Sequence, residues 1–389
     1  MHTRRTFLKE TAAACSVGAS APLFWRRAAG AAEARRDATI LVVVELTGGN
    51  DGLNTVVPHG DDVYVKSRPT LAVKPDKTLK LDDRVGLNDA LKPLHAFWER
   101  GDLAVVQQVG YPEPNRSHFE SMAIWQGGAP GQPLPTGWLG RAADLRPELK
   151  ARHVGPPGAP LGVRGVHVVP QSIADPADFH LAPGAMLDAS SITEGGPALD
   201  AVRARFQGAR ELLAKLDDLP PASTTAGDDD LPFQGRMETI RRMILADAST
   251  RVYYTSLEGF DTHSAQQYTH RRLLQSLGKG IAALLDGLKE HRLDERVAVL
   301  VFSEFGRRLK ENGNAGTDHG APGPVLLVGP GVKGGLIGPP PDLSRLDETG
   351  DPLFAVDFRD VYSGVLRDWL DVDPTAVVGR RESVPTLFG

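Results

Sequence analysis

The sequence predicts an α/β protein built on a doubly wound, mostly parallel sheet. Three observations carry this expectation. Apolar, β-branched runs alternate with amphipathic helical stretches along the chain. The runs are continuous rather than alternating, as in strands covered on both faces. Polar clusters follow the runs directly, at the strand ends where open α/β sheets place their chemistry.

The N-terminus reads as an address rather than as part of the fold. Thr3-Arg4-Arg5-Thr6-Phe7-Leu8-Lys9 is a twin-arginine pattern, followed by a weakly apolar stretch of small residues and then by Ala28 to Ala32, which offers small residues for cleavage. Residues 1–32 are therefore expected to be a twin-arginine signal, with the export machinery as a partner and a periplasmic or secreted destination. The apolar part is too short to span a membrane. The single cysteine, Cys15, lies inside this signal and has Ala12 three residues before it, which does not suit a lipoprotein. The chain beyond the signal thus has no disulfide and no thiolate metal site, and any metal there must be held by His, Asp, Glu or hydroxyl groups. A net charge of -5 excludes nucleic acid as the main partner. No later stretch is apolar enough to cross a membrane. Residues 38–389 are long enough for one large α/β domain.

Ala38 to Leu46, ATILVVVEL, is expected as a central strand. The glycines of Thr47-Gly48-Gly49-Asn50-Asp51-Gly52 let the backbone turn tightly and leave Asp51 and Asn54 at the strand end. A plain Asn-Asp-Gly turn accounts for the same residues. The glycines lack the spacing of a dinucleotide fingerprint. Asn88 to Arg100 is an amphipathic helix ended by Gly101, and Leu103 to Val109 is the next strand, a β-α-β order that predicts a parallel pair.

After the loop Gly110 to Arg116, Ser117-His118-Phe119-Glu120 opens a helix running to about Gln126. Two readings of Ser117 stay open. As S-x-x-E it is a capping box with Glu120. As a hydroxyl at a helix start after a buried strand, it is a nucleophile or metal ligand, where helix amides also favour an anion and where Arg116 and His118 lie beside it.

Residues 127–231 are rich in Gly, Pro and Ala and are expected to form an irregular insertion or lid over the sheet. Within it, Val166 to Val169 reads as a short strand and Ala198 to Leu216 as a helix. Asp228-Asp229-Asp230 reads as a solvated loop, because it lacks the alternating spacing of a calcium loop.

Beyond it come a helix around Met237 to Ala248, a strand Val252 to Leu257, the cluster Gly259-Phe260-Asp261-Thr262-His263-Ser264, and a strong amphipathic helix from Tyr268 to His291. The strand Val297 to Phe302 then delivers Ser303-Glu304-Phe305-Gly306-Arg307, and Thr317-Asp318-His319-Gly320 precedes the strand Val325 to Val328. Asp-x-His after a strand suits a cation held by carboxylate and imidazole. Alone it is equally a satisfied turn. Four polar clusters at four strand ends are the stronger signal. Gly331 to Ile337 is a Gly-rich turn. Asp357 to Leu370 is a helix whose first-turn aspartates suit the helix dipole.

The ordered set ILVVVELTGGNDGLN, NRSHFESMAIWQ, GFDTHS, VLVFSEFGR and GTDHG resembles the domain-of-unknown-function 1501 family of exported bacterial proteins, over nearly the whole chain. That family is placed in the alkaline-phosphatase-like clan of phosphatases, sulfatases and cofactor-independent phosphoglycerate mutases. The resemblance implies a doubly wound α/β fold and a divalent metal site (zinc, manganese or calcium) at the strand ends. It also implies an exported metal-dependent hydrolase acting on a phosphate or sulfate ester of unassigned identity, or a non-catalytic binding or assembly protein on the same scaffold. By position it makes Asp51, Asp261, His263, Glu304 and His319 metal ligands. Ser117 becomes the nucleophile, with Arg116, Asn54 and Arg307 as anion or supporting contacts. The chain departs from the clan at two points: Glu304-Phe305 replaces an Asp-His pair, and Asp261 and His263 are two residues apart where the clan has four. Ser67-Arg68-Pro69-Thr70-Leu71 also lacks the final Arg of a sulfatase motif.

Overall fold

The computed structural model describes residues 39–168, 170–173, 232–247, 249–382 and 384–389. The twin-arginine signal, the expected helix Ala198 to Leu216 and the Asp228–Asp230 loop lie outside the described residues.

The chain opens with β1 (Ile40–Thr47), the short helix α1 (Gly52–Thr55) and β2 (Val56–Val57), then α2 (Asp62–Ser67), β3 (Thr78–Lys80) and β4 (Gly86–Asn88). Next come α3 (Lys92–Arg100), β5 (Leu103–Gly110), α4 (His118–Gly127), α5 (Trp138–Leu145), β6 (Ala151–Val154) and β7 (Gln171–Ile173). After the undescribed segment follow α6 (Pro232–Ala246), β8 (Val252–Glu258), α7 (Gln266–Lys289), β9 (Val297–Ser303), the hairpin β10 (Arg307–Glu311) and β11 (Thr317–His319), and β12 (Gly323–Val328). Short strands β13 (Gly335–Ile337) and β14 (Val356–Asp357) precede α8 (Phe358–Gly364) and α9 (Pro374–Val378).

The main sheet runs β13-β5-β12-β9-β1-β8-β6-β7, with β14 also on β5. β1 is central, parallel to β8 on one side and β9 on the other. Its residues from Ile40 to Val44 are fully buried and divide by parity. Ile40, Val42 and Val44 face the core under α3, α6 and α7, while Leu41 and Val43 face the core under α4, α5 and α8. That two-sided burial is why the run carries no polar alternation. The expected class, α/β with a doubly wound and mostly parallel sheet, is the class observed. α7 shows the packing logic: Leu274, Leu277, Ile281, Leu284, Leu285 and Leu288 all lie on its buried face.

Three local expectations differ. β1 and β5 run in the same direction but are not neighbours, because β9 and the antiparallel β12 lie between them. Val166, His167 and Val168 are not a strand. Their amides donate to the Asp144 carboxylate at 2.5, 2.9 and 2.9 Å, which fixes a bend. The helix from Asp357 forms as expected, the Asp357 carboxylate accepting from the Arg359 amide, but it passes into a π-turn over Val365–Trp369. Within the 127–231 stretch, α5 packs in the second core and β6 and β7 extend the sheet beyond β8. No helix among the described residues is long and apolar enough to cross a membrane.

This topology brings the carboxyl ends of β1, β5, β8 and β9 to one edge. The loop after β1 fits there only because of its glycines. Gly48 has φ +115, and a Cβ on it would stand 2.4 Å from the Asp261 amide nitrogen; at Gly49, φ +72, it would stand 2.3 Å from the Phe305 ring. Replacing Gly48 by Ala should therefore cost at least about 1–2 kcal/mol from the backbone conformation alone, and more from the clash. A denaturant midpoint unchanged from wild type would refute this account of the edge.

Candidate metal centre

Asp261 lies in the loop after β8, and its Oδ1 is the point on which the site converges. Arg307 Nη2 donates to it at 2.7 Å. Three imidazole nitrogens surround it: His263 Nε2 at 3.1 Å, His319 Nε2 at 3.2 Å and His118 Nε2 at 3.5 Å. His118, Asp261 and His319 offer ligand atoms that all lie within 4.8 Å of one another. Burial pushes the Asp261 carboxyl up, but the Arg307 and His319 hydrogen bonds and the nearby positive charge more than reverse this, bringing it to about 2.

Each imidazole is held from behind. His118 Nδ1 lies 2.8 Å from Glu304 Oε1, His263 Nδ1 lies 3.3 Å from Asp318 Oδ1, and His319 Nδ1 lies 2.8 Å from the Arg116 carbonyl oxygen. A carbonyl or carboxylate oxygen accepts, so each Nδ1 carries a proton, which leaves Nε2 as the atom that can present a lone pair to a cation. Fixing a ligand's tautomer through its outer nitrogen is how proteins orient metal-binding histidines.

The arrangement fits a cation. His263 Nε2 and His319 Nε2 are 2.9 Å apart, two ring nitrogens facing each other beside a carboxylate oxygen. His118 Nε2 is buried without a hydrogen-bond partner. A proton or a metal relieves both features. The Glu304 hydrogen bond raises the affinity of His118 for a proton, against a smaller opposing effect of burial. Burial lowers that of His319, against hydrogen bonds to Arg116 and Asp261 that raise it.

Of the five expected metal ligands, Asp261, His263 and His319 are brought together. Glu304 and Asp51 stand elsewhere. Glu304 is fully buried behind His118, and its oxygens accept from the Gly48 amide at 2.8 Å and the Ser303 hydroxyl at 2.9 Å. It holds the His118 imidazole. Asp51 is fully buried beneath the site, where Arg68 Nη1 lies 2.6 Å from its Oδ2 and Gln266 donates to the same oxygen. Burial raises the Asp51 carboxyl and the Arg68 charge leads the effects that outweigh it, so the net shift is downward. A guanidinium thus holds one oxygen of Asp51, while the other, Oδ1, is buried with no hydrogen-bond partner. Asn54 serves the same buried network, accepting from Tyr64 and Arg68, both at 2.7 Å.

Ser117 caps no helix amide and is exposed, so the capping box does not form; Glu120 is engaged by Asn115 instead. Ser117 stands at the amino end of α4, in the chain between the carbonyl that holds His319 and the imidazole of His118. The Arg116 guanidinium is bound to Asp347, Thr349 and Asp351. Arg307 is fully used as well. It donates to the carbonyls of Gly48, Gly49, Phe260 and Thr317 and to Asp261, and it is 1% exposed, so it offers nothing to a substrate anion.

The residue of the cluster that sequence reasoning did not assign is His118. Phe305 supplies no imidazole where the clan has one, and its ring packs 4.9 Å from that of His118 and 4.8 Å from that of His319. The signal was present as a histidine one place after the expected nucleophile. Arg68 and Gln266 carried no local signal, since both act through long-range contacts.

Two measurements test this geometry. Arg68→Met leaves the Asp51 carboxylate buried without its cation and should cost roughly 3–5 kcal/mol. The lowered Asp51 carboxyl contributes stability that is complete above its unfolded value, about 3.9, and is lost as pH falls through the folded value. Asp51→Asn should flatten that acid limb in urea midpoints followed against pH. An acid limb unchanged in the variant would show that the pair contributes nothing.

No curated protein matches the chain. Several solved structures are similar to it. An inactive form of murine ectonucleotide pyrophosphatase/phosphodiesterase 5 in complex with AMP has 13% identity and a TM-score of 0.32 over 69% of this chain and 58% of that one. The lipoteichoic acid synthase LtaP from Listeria monocytogenes has 8% identity and a TM-score of 0.33 over 75% and 65%. The C-terminal periplasmic domain of EcEptC from Escherichia coli, in complex with Zn, has 9% identity and a TM-score of 0.35 over 75% and 73%. None of these similarities assigns a role to a residue here. Residues 209–372, a stretch that contains Asp261, His263, Glu304 and His319, match the family model described as Protein of unknown function (DUF1501).

Proposed function

We propose that this chain is an exported, metal-dependent hydrolase of phosphate or sulfate esters, working with one metal position on an alkaline-phosphatase-like scaffold. The observation that carries the reading is the convergence of three Nδ1-anchored imidazoles on Asp261 Oδ1. His118, His263, His319 and Asp261 are the ligands. Three imidazoles and one carboxylate suit zinc or a similar transition metal and do not suit calcium, which takes oxygen ligands. Bound there, the metal supplies Lewis-acid polarisation of an ester oxygen and lowers the pKa of a nearby hydroxyl or water.

The chain's own residues supply the rest. Ser117, exposed and next in the chain to His118, is the nucleophile. The amino end of α4 favours the negative charge of the ester group. Glu304 and Asp318 hold His118 and His263 in their metal-binding tautomers. Arg307 fixes Asp261 and the β1 loop, so the site is formed before substrate arrives. With both arginines tied to protein groups, the anion is met by α4 and the metal. The twin-arginine signal accounts for export.

The test is metal analysis of the folded protein together with turnover of aryl phosphate, aryl phosphodiester and aryl sulfate esters. Near-stoichiometric transition metal is expected, with His319→Ala losing both metal and turnover and Ser117→Ala losing turnover alone. A chain free of metal, or His319→Ala at full activity, refutes the proposal. The Arg68–Asp51 pair favours a second reading, a non-catalytic metal-bearing protein; stoichiometric metal with no turnover of any ester class would select it.

A further inference from the structure

We propose that Asp351 is a positioning residue of the centre: by clamping Arg116 it places the Arg116 carbonyl on His319 Nδ1 and so keeps His319 Nε2 facing Asp261. The inference rests on the metal-centre reading above. Of the three imidazoles, His263 and His118 are anchored by carboxylates, but His319 is anchored by a backbone oxygen at 2.8 Å. That oxygen is only as well placed as the loop between β5 and α4 that carries it.

The loop is fixed at both flanks and by one side chain. The Asn115 amide donates to the Tyr111 hydroxyl at 3.0 Å, and the Ser117 amide donates to Asn115 Oδ1 at 2.7 Å. Between them, Arg116 reaches to residues 347–351. Its Nε donates to Asp351 Oδ2 at 2.9 Å, its Nη2 donates to the same oxygen, and Thr349 Oγ1 and Asp347 Oδ2 lie 2.6 and 3.2 Å from Nη2. Two donors on one oxygen leave the guanidinium little freedom to rotate.

The receiving loop is itself locked. Asp347 Oδ1 accepts from the amides of Thr349 and Asp351 at 2.8 and 2.9 Å and from the Thr349 hydroxyl at 2.7 Å. Asp351 is fully buried, and its Oδ1 has no hydrogen-bond partner. A carboxyl buried in that way is costly without its cation, so Arg116 is its required partner. Arg116 and Asp351 are remote in sequence, and no local pattern around either marks the pair. The contact exists only because β14 and its approach return to β5.

The test combines metal affinity with a readout independent of metal. Histidine-selective nitrogen NMR on the metal-free full chain reports which nitrogen of His319 carries the proton, and chelator competition gives zinc affinity. Wild type should show His319 protonated at Nδ1. Asp351→Asn should give a mixture of tautomers and zinc affinity lower by about 10- to 100-fold. Arg116→Gln, which keeps the carbonyl and alters a partly exposed side chain, should do the same if the first variant fails to fold. The double variant should be no worse than either single one, because both act through one contact. An unchanged tautomer with affinity within about two-fold of wild type, or losses that add, overturns the inference. If wild type binds no zinc, the metal reading falls and the tautomer measurement alone decides whether Asp351 positions His319.

Discussion

A single buried guanidinium holds the functional edge of this molecule together. Arg307 begins β10, directly after the turn that leaves β9, and its donors end on the loop after β1, the loop after β8 and the start of β11. Four of its acceptors are backbone carbonyls. Loops at strand ends carry unpaired carbonyls that are costly to bury, and a planar cation with five donors satisfies several of them at once. Its remaining contact is Asp261 Oδ1, so the group that closes the loops also sets the charge at the centre of the site.

A second buried arginine performs a parallel task one layer deeper. Arg68 sits on Asp51 and also donates to the carbonyls of Leu309 and Arg308 at 2.8 Å. It ties the α2 region to β10 and neutralises a buried carboxylate. Buried ion pairs contribute little net stability compared with apolar packing, but losing one partner is costly. In the proposed centre, metal chemistry is left to the Asp261 side.

The imidazoles follow a common plan. One comes from the start of α4, one from the loop after β8 and one from the end of β11; each is held at Nδ1, and each turns Nε2 toward one carboxylate oxygen. The anchors themselves are held: Glu304 by the Gly48 amide, Asp318 by Asn312 at 3.2 Å, and the Arg116 carbonyl by the clamp on its side chain. Affinity and reactivity of such a centre depend on these outer contacts nearly as much as on the ligands.

By itself, the sequence determined the strands of the sheet's middle, the long amphipathic α7 and the edge on which the polar clusters lie. Continuous apolar runs and 3.6-residue periodicity are local properties, and strand direction follows from the helices between them. Asp261, His263 and His319 were legible for the same reason, because each lies close to a strand end. The tertiary structure alone decided which side chain each carboxylate meets. Asp51 and Glu304 have the right residue type at the right strand ends, yet Arg68 takes one and His118 takes the other, from positions remote in sequence. It also decided that β12 would separate β5 from β9, and that Ser117 would leave its helix uncapped. Those outcomes rest on long-range hydrogen bonds and buried charge, which no local pattern encodes.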